Sequence, residues 1–257
     1  MRTLRTISEA RQHLQVSRRG GTVALVPTMG ALHAGHRALI DAARSECDTV
    51  VVSLFVNPAQ FNEAADLAAY PRDGERDAAM AAAAGVDILF APEPGEIYPD
   101  GFQTWVDVEE LSRGLDGAYR PGHFRGVATV CLKLFNIVRP QFAYFGQKDA
   151  QQIAVVRRMV RDLNLDLTVR SIPTVRDPDG LAISSRNVLL SDAERAAALA
   201  LPRALETRDP AAARAALNGL DVDYVEVADF DPPVLAAAVH VGSTRLIDNV
   251  ILEKEER

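Results

Sequence analysis

Apolar residues along this chain fall into two patterns, a helical spacing of three and four and short unbroken runs. The first appears at 7–18, an amphipathic stretch that predicts a helix cut at Gly20-Gly21. Thr22 to Val26 is an unbroken run ending at Pro27, the pattern of a parallel strand buried on both faces. Gly30 and Gly35 bracket a loop, after which apolar positions 38, 39, 42 and 43 predict a helix over 37–47. Thr49 to Val56 (TVVVSLFV) predicts a second buried strand, stopped at Asn57-Pro58. Strand, helix and strand in this order form a βαβ unit, whose crossover is right-handed.

The alternation continues with a helix over 73–84, a strand over 86–90 closed by Pro92 and Pro94, and a helix over 124–138. A strand at 142–145, a helix at 151–163 and a strand at 168–172, ended by Pro173, complete it. The prediction is an α/β fold: a Rossmann-like parallel-sheet domain over 1–174, with ligands outside the carboxyl ends of its strands. After Thr174 the pattern changes. Arg176-Asp177-Pro178-Asp179-Gly180 is turn-forming, and Ser191-Asp192-Ala193-Glu194 is a capping box that opens an Ala-rich helical stretch. Strand-like runs follow at 224–227 and 245–252, so 175–257 reads as a smaller α+β C-terminal lid domain.

Composition narrows the class of function. The chain has 257 residues, 48% hydrophobic and 25% charged, and at this size folding hides roughly 70–75% of the unfolded surface without disulfides or metals. Cys47 and Cys131 lie far apart with no CxxC spacing, which predicts buried small side chains in a reducing compartment rather than a disulfide framework or a zinc site. No apolar run approaches a membrane span and the amino terminus has no signal-like apolar core, so no membrane partner and a cytoplasmic location are expected. A net charge of -7 without any Lys/Arg-rich run argues against nucleic acid as a partner. A small-molecule enzyme becomes the leading class.

Three segments carry candidate chemistry. Pro27-Thr28-Met29-Gly30-Ala31-Leu32-His33-Ala34-Gly35-His36 places two imidazoles where a strand ends and a helix begins. Backbone donors and the helix dipole there favour an anion and disfavour imidazolium, so neutral rings can donate N–H groups to it. Gly35 allows a phosphate or ring close to the backbone. Two histidines do not make a zinc site, and only His13, His123 and His240 remain; the bland reading is a pair of surface histidines. Phe145-Gly146-Gln147-Lys148-Asp149 puts a point charge suited to phosphate oxygens before another helix, which Asp149 can cap, although a lone loop lysine is often only solvated. Ser184-Ser185-Arg186-Asn187 is either a polar surface turn or a loop that folds over a triphosphate.

The HxGH after the first strand and the later Ser-Ser-Arg loop together resemble the HIGH and KMSKS pair of the nucleotidyltransferase superfamily. The ordered segments PTMGALHAGH, SLFVNPAQF, YPRD, YPDG, RPGHFRGVATV, FGQKDAQQ, IPTVRDPDGLAISSRN and GSTRLIDN resemble the pantothenate synthetase (pantoate-beta-alanine ligase) family. The likeness runs from about Gly20 to Asn187 and resumes from Tyr224 to Asn249. It implies ATP-dependent condensation of pantoate with β-alanine through pantoyl adenylate, giving pantothenate, AMP and pyrophosphate with no enzyme nucleophile.

By matching motif position, the resemblance implies ATP contacts at Pro27, Thr28, Met29, His33, His36, Gly146, Lys148, Asp149, Val175, Ile183, Ser184, Ser185 and Arg186. Among these, His33, His36, Lys148, Ser184, Ser185 and Arg186 would be catalytic through the charge they stabilise. Gln60 and Gln152 would grip pantoate, with Asn57, Tyr70, Arg120 and His123 at the same end; Asn57 is also a natural strand terminator and Tyr70 a possible core cap. Magnesium is implied with ATP as co-substrate, with Asp77 touching it through water or else standing on an exposed helix face. A homodimer through the larger domain is also implied.

Ile183 stands where the family often has methionine and Gln147 where it often has glutamate, and only 36 residues separate Asn187 from Tyr224, a short lid. The alternative activity is a related nucleotidylyltransferase that adenylylates another small molecule. With anionic or zwitterionic substrates and a net charge of -7, positive character is expected to concentrate in the cleft, at helix starts and at Lys148, Arg186 and Arg120.

Overall fold

The computed structural model describes residues 1–17 and 20–253. Six strands form the first sheet: β1 (Arg2–Leu4), β2 (Val23–Thr28), β3 (Thr49–Leu54), β4 (Ile88–Phe90), β5 (Phe142–Gly146) and β6 (Thr168–Ile172), in the order β1-β4-β3-β2-β5-β6. Every pairing is parallel. The helices of this part are α1 (Ile7–Ser17), α2 (Ala34–Glu46), α3 (Ala64–Ala69), α4 (Gly74–Ala83), α5 (Pro94–Ile97), α6 (Asp116–Tyr119), α7 (His123–Val138) and α8 (Ala150–Asp162). The helix expected over 7–18 is α1, and Arg18 lies outside the described residues.

The unbroken apolar runs follow from helices on both faces of the sheet. In β2, Val23 and Leu25 join a core with Leu14 of α1, Leu134 of α7 and Val156 of α8, while Ala24 and Val26 pack in a second core with Ile40 of α2 and Ala81 of α4. Successive residues of a strand point to opposite faces, so a strand covered on both sides has no polar position. β1 is a three-residue edge strand that the apolar pattern does not announce.

Chain order reverses at β2. The strands β3 and β4 lie on one side of it and β5 and β6 on the other, which leaves a crevice between the carboxyl ends of β2 and β5. Both phosphate-suited segments leave the sheet at this crevice.

The second sheet is antiparallel, in the order β7 (Asp221–Ala228), β8 (Val234–Val241), β9 (Thr244–Ile251). It shares a core with α9 (Asp192–Ala198), α10 (Ala200–Leu205) and α11 (Pro210–Ala216) through Ala198, Leu201, Leu205, Ala213 and Leu235. The capping box that opens α9 is present, with Ser191 Oγ accepting the Glu194 N–H. The central strand β8, VLAAAVHV, is not among the expected strands. Its alanines have little strand preference of their own, and pairing with β7 and β9 on both edges decides its state.

Candidate active site

A cleft of about 270 Å3 opens at the crevice. All the residues expected for ATP and pantoate line it: the β2–α2 segment, Asn57, Gln60, Tyr70, Arg120, His123, Gly146, Lys148, Asp149, Gln152, Val175 and the Ile183-to-Arg186 loop. His13 and His240 stand elsewhere, His13 on α1 and His240 on β8. Asp77, expected near magnesium, is not on the cleft wall.

The β2–α2 loop is shaped from beneath. Thr28 Oγ1 donates to the Ser53 carbonyl at 2.7 Å, and Gly30 and Ala31 both take positive φ, 90° and 52°. This turns the successive N–H groups of Ala31 and Leu32 onto the Asp77 carboxylate at 2.9 and 2.7 Å. Asp77, at the start of α4, is buried. Each of its oxygens accepts a backbone donor, so its chemistry is to clamp the loop. This corrects the exposed helix face expected for Asp77 and ties the carboxylate to the β2–α2 loop. A Cβ on Gly30 would stand 2.9 Å from Asp77 Oδ2, so the position needs glycine for space as well as for φ.

The loop delivers two histidines to the start of α2. His33 is the N-cap, its Nδ1 accepting the Gly35 N–H at 3.1 Å, while His36 Nδ1 accepts the His33 N–H at 3.3 Å. A neutral imidazole with an accepting Nδ1 carries its proton on Nε2. Burial, with Lys148 nearby, lowers the His33 pKa, and burial, with His33 beside it, lowers that of His36 to about 3. Two uncharged Nε2–H donors therefore stand at a helix N-terminus, where the dipole already favours an anion.

Lys148 sits in a short 3-10 turn, Gln147–Asp149, between β5 and α8, with its Nζ 3.3 Å from Asp149 Oδ1. Burial opposes ionisation of Asp149, but Lys148, Arg186 and His123 hold its carboxyl below the usual range. Asp149 is the N-cap residue of α8, but its side chain makes no capping hydrogen bond, leaving the carboxylate to the cleft. Ser184 caps the Ser185–Leu189 turn, its hydroxyl accepting the Arg186 N–H at 3.3 Å. Tyr70 and Ser185 both line the cleft, which sets the loop of the second part against the wall of the first.

At the other end, Asn57 is fully engaged: Nδ2 donates to Gln60 Oε1 at 2.9 Å and to the Gly126 carbonyl at 3.1 Å, and Oδ1 accepts from the Tyr98 hydroxyl at 2.8 Å. Its geometry is that of a strut for Gln60. His123 Nδ1 lies 2.9 Å from the Gln60 carbonyl and Nε2 lies 3.1 Å from Arg120 Nη1. Arg120 can only donate, so Nε2 accepts and the proton sits on Nδ1, the opposite tautomer to His33 and His36. Burial and the Arg120 charge bring His123 to about 4, while burial and Arg186 bring Arg120 to about 10, still charged at neutral pH.

The apolar wall is what the motifs do not announce. Phe55, Val127, Val130, Cys131, Leu134 and Phe145 line the cleft. The α7 members recur at spacings of three and four, which reads as ordinary core. Burial pushes the Cys131 thiol up to about 12, so it packs as an unreactive apolar group. Both cysteines are free and buried.

Among the described residues no helix is long and apolar enough to cross a membrane, and no three His, Cys, Asp or Glu side chains cluster as metal ligands.

The sequence model of the family described as pantoate-beta-alanine ligase matches residues 2–251. A pantothenate synthetase of Heliobacterium modesticaldum is 53% identical over 92% of this chain and 94% of its own, and one of Geobacter sulfurreducens is 47% identical over the whole of both. The crystal structure of pantothenate synthetase from Thermus thermophilus superposes with a TM-score of 0.92 at 46% identity, covering 98% of this chain and 99% of that one. A pantoate-beta-alanine ligase from Francisella tularensis, solved in complex with a β,γ-ATP compound and β-alanine, has a TM-score of 0.87 at 34% identity, covering 98% and 97%. These relatives favour ligation over an enzyme that stops at an adenylylated product. With its parallel sheet, its paired neutral histidines and this likeness over nearly its full length, the chain belongs to the pantoate-beta-alanine ligase family and is a ligase joining pantoate to β-alanine.

Proposed function

We propose that the cleft runs the ligation in two steps. In the first, a pantoate carboxylate oxygen attacks the α-phosphorus of ATP and pyrophosphate leaves; in the second, the β-alanine amine attacks the acyl carbon, AMP leaves and the amine nitrogen loses a proton. The observation that carries this reading is the convergence of His33, His36, Lys148 and the Ser184-Ser185-Arg186 loop on one cleft, all of them donors and none a nucleophile poised beside a base. Such a site works by holding reactants in line and by placing fixed positive charge where negative charge develops.

In this reading the nucleotide lies along Pro27, Thr28, Met29, Gly146, Val175 and Ile183. Gly146 has no heavy atom within 4 Å of where a Cβ would stand, which leaves room for a sugar beside the backbone. The Nε2–H groups of His33 and His36 and the Lys148 ammonium meet the phosphates, and Ser184, Ser185 and Arg186 close over them. Asp149 accepts from the ribose. Gln60, with its Oε1 occupied by Asn57, presents its Nε2 to pantoate, and Gln152 serves from the facing helix. Arg120, oriented by His123, supplies the cation for a carboxylate at that end, and Tyr70 closes the wall.

Magnesium, carried with the ATP, supplies charge compensation on the phosphates. The ion would depend on few protein ligands, and Asp77, with both oxygens accepting backbone donors, would meet it through water rather than directly. The reading also takes 1–174 as the nucleotide domain and 175–257 as its lid, a homodimer formed through the first, and a cytoplasmic place. Pantoate-dependent exchange of ATP with pyrophosphate, without β-alanine, tests the first step, and pantothenate formation on adding the amine tests the second. Exchange that needs β-alanine rather than pantoate is the result that sinks the reading. Sedimentation tests the dimer.

A further inference from the structure

One strand of the second sheet reaches the cleft. Alternate residues of β9 share a face, and here Arg245 pairs with Asp116 at 2.7 Å, Ile247 lines the cleft, and Asn249 meets the turn that carries Lys148. Asn249 is buried, and its Nδ2 donates to the carbonyls of both Gln147 and Lys148 at 2.9 Å each.

The amide cannot turn over without loss. Its Oδ1 accepts from Gln147 Nε2 at 3.2 Å, and Gln147 is fixed in turn by Ser171 Oγ, which donates to Gln147 Oε1 at 2.7 Å. The Asn249 N–H donates to Asp248 Oδ1, and that carboxylate is gripped by Arg176 at 2.6 and 3.1 Å. A flipped amide would set an oxygen against two carbonyl oxygens. The same network explains Gln147 in this chain: a glutamate there could accept from Ser171 but, when ionised, could not donate to Asn249.

We propose that Asn249 is a positioning residue for Lys148, clasping the two carbonyls of the β5–α8 turn so that the ammonium is delivered to the phosphates from a fixed backbone. The proposal rests on the reading that Lys148 serves ATP. A lysine stem is flexible, so precision at its ammonium depends on where its Cα is held, and a misplacement of about 1 Å can cost roughly a hundredfold in rate.

The test is a double-mutant cycle on pantoate-dependent ATP–pyrophosphate exchange with Asn249→Ala and Lys148→Ala. Asn249→Ala alone is expected to lower kcat roughly ten- to a hundredfold. Its KM for pantoate should change by less than about twofold, and in the Lys148→Ala background it should cost less than about twofold further. Equal losses in both backgrounds, or an unchanged kcat in the single variant, overturn the proposal. Full activity in Lys148→Ala by itself instead removes the role of Lys148, and the proposal with it. If Asn249→Ala does not fold by circular dichroism, Gln147→Ala keeps both carbonyl bonds but frees the amide to turn. It should give a smaller loss that again vanishes without Lys148, and a loss that persists there overturns the proposal.

Discussion

His33 and His36 lie with ring centroids 4.1 Å apart, each spending Nδ1 on a backbone N–H of the turn they occupy. That shared arrangement leaves both Nε2–H groups as donors from uncharged rings. Removing one preorganised donor from a charge-stabilising site typically costs about 3–4 kcal/mol. His33→Ala and His36→Ala are each expected to slow pantoate-dependent ATP–pyrophosphate exchange on the order of a hundred- to a thousandfold. Rates within a few-fold of the parent would show that the donors are not used in the transition state.

The lowered histidine pKa values fix the sign of a pH effect. His36 titrates at about 3 in the folded chain and near 6.5 when unfolded, and His33 and His123 are lowered as well. Between these values the unfolded state binds more protons, so stability rises with pH across the window and falls as pH drops below about 6.5. Thermal melts between pH 6.5 and 5, above the range where most carboxylates titrate, should show a declining Tm with a shallower slope in His36→Gln. Identical slopes would mean that the ring is not buried neutral.

Gly35 makes room for the histidine beside it. A Cβ at this position would come within 2.9 Å of His33 Cε1 and 3.0 Å of Nδ1. Gly35→Ala should therefore turn the His33 ring out of its cap and reduce the exchange rate by roughly tenfold or more. Tm should move little, because alanine suits the first turn of a helix. A large fall in Tm with normal activity per folded molecule would contradict this.

Asp77 separates structural from metal roles. Asp77→Asn keeps the shape but sets an NH2 group against one of two backbone donors, which should cost about 1–3 kcal/mol of stability. Urea unfolding measures the loss. The magnesium concentration for half-maximal rate should stay that of the parent; a shift of that concentration without loss of stability would return Asp77 to the metal.

Arg245 of β9 ties α6 to the second sheet through largely buried charges, 2.7 Å from both Asp116 on α6 and Asp223 on β7, while the Tyr224 hydroxyl donates to Asp116 at 3.1 Å. Arg245→Leu strands two carboxylates, and breaking a buried pair from one side typically costs about 3–5 kcal/mol. Denaturant unfolding should show a loss of this order. A loss below about 1 kcal/mol would mark the pair as effectively solvated.

Much of the first sheet was legible in the sequence because its signal is local. β2, β3 and β5 lie within two residues of their expected bounds, since a strand covered on both faces reads as an apolar run, and the edge strand β6, which carries Arg170 and Ser171, has the expected bounds because Pro173 closes it. The HxGH segment was legible for a related reason: strand exit, positive-φ loop and helix start follow one another within a few residues. The burial of Asp77 was not legible because its partners are Ala31 and Leu32, 46 and 45 residues earlier, and nothing near it in sequence shows that both oxygens accept backbone donors.

The sequence by itself determined the α/β class, the buried strands, the donor-bearing segments and the family, all of which reside in short windows or in the order of windows. Only the tertiary structure decided which side chains meet. It seats β8 between two partners against its own weak preference, turns four α7 residues that read as plain core into the cleft wall, and sets His123 in the opposite tautomer to His33 and His36. It also carries Asn249 across from the second sheet to the carbonyls of Gln147 and Lys148. The reason is one of range: hydrophobic period and turn chemistry are set by neighbours along the chain, whereas burial, tautomer and clasp are set by contacts between segments up to a hundred residues apart.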